Sequence, residues 1–114
     1  MIVGIIPDAF AAETLLNNLS EADFNLADVS LIMVDKELRD KVAEDTGPLR
    51  GLRHDQISTF LVQAGLSAQE AQVYQSAVDQ GKVLAAMKIA SDLIEAAKEM
   101  FADQSGESIQ EIKS

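Results

Sequence analysis

The chain predicts an α+β fold on an antiparallel sheet, and three observations carry that prediction. Three short runs, Ile2–Ile6, Val29–Val34 and Lys82–Ile89, are rich enough in apolar residues to be interior strands. Amphipathic helical stretches separate them. The helix before the third run stops at Gly81 and passes straight into a strand, because glycine takes the left-handed conformation that ends a helix without a Cβ clash.

Taken in order, the first strand is closed by Pro7, and Asp8 is placed to cap the following helix. In that helix Ala12, Leu15, Leu16 and Leu19 recur at helical spacing and predict a buried stripe, with Glu13, Asn17 and Asn18 facing water. VSLIMV, residues 29–34, is apolar on both alternating sets except at Ser30, which predicts a strand covered on both faces. From Asp35 to His54 the chain turns polar, and Gly47, Pro48 and Gly51 mark a connection with one helical turn near Leu38–Ala43. A helix resumes at Asp55 with the stripe Ile57, Phe60, Leu61 and Ala64, and ends at Gly65.

Ser67 and Glu70 then have capping-box spacing, with Leu66 as a hydrophobic staple onto Ala71. Ala71, Tyr74, Ala77 and Val78 form the inner side of that helix. Beyond the third strand, Ser91 reads as the cap of a last helix whose inner side is Leu93, Ile94, Ala97, Met100 and Phe101. The tail ESIQEIK, residues 107–113, reads as a weak edge strand, with Ile109 and Ile112 three apart instead of alternating.

Strand, helix, strand, insert, strand, helix, strand is the ferredoxin-like split β-α-β sandwich, with two helices on one face of the sheet. The helical insert, about 36–80, stands between the second and third strands, within a single domain of 1–114. Val29, Leu31 and Met33 on one side and Ile32 and Val34 on the other are all apolar, so both faces want cover. If the insert shields only part of the second face, a second copy of the chain covers the rest, and a homodimer is expected.

A net charge of -10 repels nucleic acid and anionic membrane surfaces. No apolar run approaches the roughly 20 residues of a membrane span, and MIVGII lacks a basic leader region, so a cytoplasmic location is expected. The absence of cysteine removes thiolate nucleophiles and cysteine-based metal sites. No residue pattern asks for a cofactor.

Ala11–Val34 and Gly65–Ile89 together resemble the bacterial heat-induced general stress protein family (YflT-type). Its members open with strand, helix and strand, then carry a pattern like G-x-x-x-x-E-A-x-x-Y-x-x-x-V-x-x-G-x-x-L. Here Gly65, Glu70, Ala71, Tyr74, Val78, Gly81 and Leu84 match it. The resemblance implies a stress-response context and maps no catalytic residue onto this chain. The chain is similar to a short form, because Asp35–His54 stands where many members have a Gly/Ala-rich segment, and no membrane-facing role carries over.

Residues 36–54 hold five basic residues against four acids, whereas the rest of the chain has four against fifteen. Within TGPLRGLRH, Arg50 and Arg53 stand in a stretch without an acid, and its glycines let backbone N–H groups approach a ligand. With His54 they form the candidate site for a small anion. His54 is also the one candidate base or metal ligand, yet the adjacent Asp55 points away from it on a helix. Asp40, Glu44 and Asp45 lack the spacing of a calcium loop, and no metal site is assigned. Tyr74 reads as a core residue with its hydroxyl at the rim.

The first functional reading is therefore a non-enzymatic, stress-associated interaction module that self-associates through its sheet. The second is an ACT-like regulatory domain binding a small anion. A small dimeric enzyme using His54 comes last.

Overall fold

The β-branched runs form the sheet, and the sheet has helices on both sides. A computed structural model describes residues 1–112. Strands β1 (Ile2–Ile6), β2 (Val29–Ile32), β3 (Val83–Met87) and β4 (Glu107–Glu111) lie in the order β2-β3-β1-β4, each antiparallel to its neighbours. The expected neighbours β1 and β3 are side by side, with Gly4 opposite Ala85. Helices are α1 (Ala9–Glu21), α2 (Lys36–Val42), α3 (Ile57–Gln63), α4 (Ala68–Asp79) and α5 (Ile94–Asp103). Because β3 separates β1 from β2, and β1 separates β3 from β4, two β-α-β units interleave in one sheet.

Every residue of β1, β2 and β3 is buried, as strands covered on both faces must be. On one face Ile2, Ile6, Leu31, Val83, Ala85 and Met87 meet Leu15 and Leu19 of α1 and Ala97 and Phe101 of α5. On the other, Val3, Ile5, Ile32, Leu84 and Ala86 meet Ile57 and Leu61 of α3 and Ala71, Tyr74 and Val78 of α4. The insert therefore forms a complete second helical layer. With β1, β2 and β3 buried under helices on both sides, no uncovered face of these strands calls for a second subunit.

Local signals start and stop the helices as their chemistry requires. The Asp8 carboxylate accepts the Ala11 N–H at 2.8 Å. Both halves of the capping box form, Glu70 N–H to Ser67 Oγ at 3.1 Å and Ser67 N–H to Glu70 Oε1 at 3.3 Å. Gly81 has φ +98° at the step from α4 to β3.

Ser91 departs from expectation. A 3-10 turn, Ser91–Leu93, precedes α5, and no side chain caps either element. The α-helical register begins at Ile94, which leaves Leu93 exposed instead of on the inner face. β2 ends at Ile32, two residues before the apolar run does, and Val34 is 44% exposed.

The tail does form an edge strand over Glu107–Glu111, with Lys113 of the expected run outside the described residues. Ile109 and Ile112 are three apart because they serve opposite faces, Ile109 against the α1–α5 layer and Ile112 against the α3–α4 layer. The register slips between Val3 and Ile5, where β4 carries one extra residue and Ser108 takes φ +51°. This bulge and the carboxylates of Glu107 and Glu111 blunt one sheet edge. The other edge is strapped by the connection after α2, whose Thr46 Oγ1 donates to the Val29 carbonyl at 3.0 Å. Among the described residues no helix is long and apolar enough to cross a membrane.

Candidate functional site

The chain leaves the sheet at Met33 and Val34, Asp35 caps α2 by accepting the Leu38 N–H at 3.0 Å, and the connection returns to start α3. Between the outgoing and returning chain lies a cleft of about 510 Å³. That size lies within the range of small-ligand pockets. Its apolar lining comes from Leu31 to Val34 and from Leu52. Its polar lining is Lys36 and Arg39 of α2 with Asp45, Arg53, His54 and Asp55 of the connection.

These charges are not equivalent. Asp45 accepts the Gly51 N–H at 3.1 Å and pairs with Arg39 at 3.6 Å, which closes the connection on itself. Arg39 is also held by Asp40 at 2.9 Å, with its side chain only 13% exposed. Arg53 is mostly exposed and gives its Nε to Asp55, at 3.3 Å, and among the described residues its two Nη groups have no ion-pair partner. Lys36 has no ion-pair partner among the described residues. The cleft thus offers two accessible cations, Lys36 and Arg53, above an apolar floor.

The sequence places Arg50, Arg53 and His54 in one site, and the structure divides them. Arg53 and His54 line the cleft, whereas Arg50 lines a separate depression of about 410 Å³ with Asp28 and Lys88. Two residues in sequence separate them, but Gly51, at φ +77°, turns the backbone between the two side chains. Arg53 does have an acid beside it, since Asp55 stands just beyond the acid-free stretch. Asp55 consequently pairs with Arg53. Lys36 and Arg39 were missed as individual residues, although the excess of basic residues over 36–54 is the signal that contains them.

Tyr74 belongs to the core. Its hydroxyl donates to the Ser108 carbonyl at the bulge and accepts from Gln110 Nε2 at 2.8 Å, which ties α4 to β4. Burial raises its phenol above the ordinary value, with the Gln110 bond opposing and the Glu70 charge adding to the shift.

Comparison with protein-family models, with curated proteins and with solved structures gave no match to this chain.

Proposed function

We propose that this chain is a non-enzymatic binding module of ferredoxin-like, ACT-like kind that takes a small anion bearing an apolar group. The carrying observation is the pair of accessible cations, Lys36 and Arg53, over the apolar floor of a cleft, in a molecule of net charge -10. An anion enters such a site against the field of the whole protein, so a purely ionic ligand gains little. Contact with Val34 and Leu52 adds the apolar contribution. The interleaved β-α-β units support the ferredoxin-like reading.

Thermal unfolding tests this with three probes: hexyl phosphate, inorganic phosphate and hexanol. Hexyl phosphate should raise the melting temperature more than either of the others, because a ligand that binds only the folded state stabilises it by about 2.7 kcal/mol at a hundred times its Kd. Arg53→Ala and Lys36→Ala should each reduce the effect. Equal responses to hexyl phosphate and hexanol, or no response to any of the three, would refute the reading.

The second reading is the stress-associated interaction module, a cytoplasmic protein that forms a homodimer. Its favouring observation is the exposure of Phe10 (80%), Val73 (50%) and Val62 (45%) on helix surfaces. With both sheet faces under helices, self-association through the sheet is left with its edges, and exposed apolar side chains stand on either helical layer, Phe10 on the α1–α5 side and Val62 and Val73 on the α3–α4 side. The stress-response context rests on the motif alone. Glu70 caps, Gly65 and Gly81 end helices, and Ala71, Tyr74, Val78 and Leu84 fill the core, so each matched residue has a reason in the fold. Light scattering distinguishes a species of 12.3 kDa from one twice that mass.

A further inference from the structure

We infer that Ser30 and Gln75 are positioning residues that hold the cleft rim in its binding shape; the link to ligand affinity rests on the anion-binding reading above. They are the two buried polar side chains among the described residues, at 2% and 8% exposure. A buried polar group is destabilising unless it is hydrogen-bonded, and both are fully engaged. Ser30 bonds to the connection between α2 and α3, and Gln75 bonds to the end of that connection at His54, to the first turn of α3 at Ser58 and to Asp79 of its own helix.

Ser30, the one polar residue of β2, donates from Oγ to the Thr46 carbonyl and accepts the Leu49 N–H at 2.9 Å. That pair of bonds directs Leu49 into the α3–α4 layer, where it is buried. Gln75, on the inner side of α4, accepts the Ser58 N–H at 3.1 Å through Oε1. Its Nε2 donates to the His54 carbonyl at 2.7 Å and to Asp79 Oδ1 at 3.1 Å. Ser58 lies in the first turn of α3, where backbone N–H groups lack helical partners.

The connection is thus fixed at 46–49 from the strand below and at 54–58 from the helix beside it. Between these anchors lie Gly51, Leu52 and Arg53, all of which line the cleft. A rim held at both ends needs less ordering when a ligand arrives, and this favours binding. Neither anchor reaches the cleft itself, so each acts only through the backbone it holds.

The test uses the full chain and three variants, Gln75→Leu, Gln75→Glu and Ser30→Ala. Backbone amide exchange and hexyl phosphate affinity are measured for each. Gln75→Leu should speed exchange of the amides of 51–58 about tenfold while the β1 and β3 amides hold their rates, because local opening costs less once the anchoring bonds are lost. Gln75→Glu keeps an acceptor for Ser58 but loses the donor to His54 and to Asp79, whose carboxylate it then faces, and it should loosen 53–55 more than 57–58. Ser30→Ala, the mildest change, should loosen 46–50. In each variant hexyl phosphate should bind about tenfold more weakly, with the apolar floor intact.

Wild-type exchange at 46–58 in all three variants overturns the inference. So does faster exchange that leaves a measured affinity unchanged. If wild type fails to bind hexyl phosphate but exchange responds as described, the anchoring role stands and the anion-binding reading falls.

Discussion

Replacing Gly47 by alanine probes the anchor where the connection crosses β2. Gly47 has φ +83°, and a Cβ there would lie 2.5 Å from the Val29 carbonyl carbon and 2.8 Å from the Ser30 nitrogen. Those atoms belong to a buried strand that cannot retreat, so the connection must lift. The left-handed conformation costs an alanine about 1 kcal/mol. Loss of the two Ser30 hydrogen bonds adds about 1 kcal/mol each, and partial exposure of Leu49 adds about 1 more. The expected destabilisation is about 4 kcal/mol.

Gly81→Ala is the control, with φ +98° and open space around its added methyl, so only the conformational cost of about 1 kcal/mol applies. Alanine also stiffens the unfolded chain by a similar amount at both sites, and the comparison cancels that effect. Urea unfolding followed by circular dichroism should separate the two variants by about 3 kcal/mol. A separation under about 1 kcal/mol would show that the connection is not seated against β2 as described.

Ser67→Ala should lower stability by about 1 kcal/mol through loss of the cap, measured by the same unfolding curve. Gly81→Val adds a β-branched side chain at a left-handed position and should cost more than about 1 kcal/mol; a melting temperature equal to wild type would contradict the helix end. The raised Tyr74 phenol predicts an alkaline dependence. The fold favours the neutral phenol, so the stability from this group is complete below the ordinary value of 10.0 and is lost as pH rises through the higher folded value. Tyr74 is the chain's one tyrosine and there is no tryptophan, so phenolate absorbance reports it directly. Titration at or below the value of free tyrosine would overturn the burial argument, and Tyr74→Phe should remove this part of the alkaline loss.

The features legible in the sequence are those decided within a turn or two of chain. The stripe of Ala12, Leu15, Leu16 and Leu19, the Ser67–Glu70 capping box and the helix stop at Gly81 depend on neighbours three or four residues away, and each formed where its pattern stands. The two-sided apolar character of residues 29–34 likewise announced cover on both faces, since a strand's faces are set by its own alternation, and burial holds through Met33 while Val34 is exposed. What covers the second face was not legible, because the stripe of α3 and α4 fits a partner subunit's sheet as well as its own. The use of Ser30 by Thr46 and Leu49 and the reach of Gln75 to His54 depend on where segments 16 to 21 residues apart meet. Ser91 shows the same limit from the other side: its local pattern fits a cap, but packing of Ile94, Ala97 and Phe101 against the sheet set the helix register and left that cap unused. Local backbone and side-chain chemistry fixes the elements, whereas the site arises from contacts that exist only once the layers have packed.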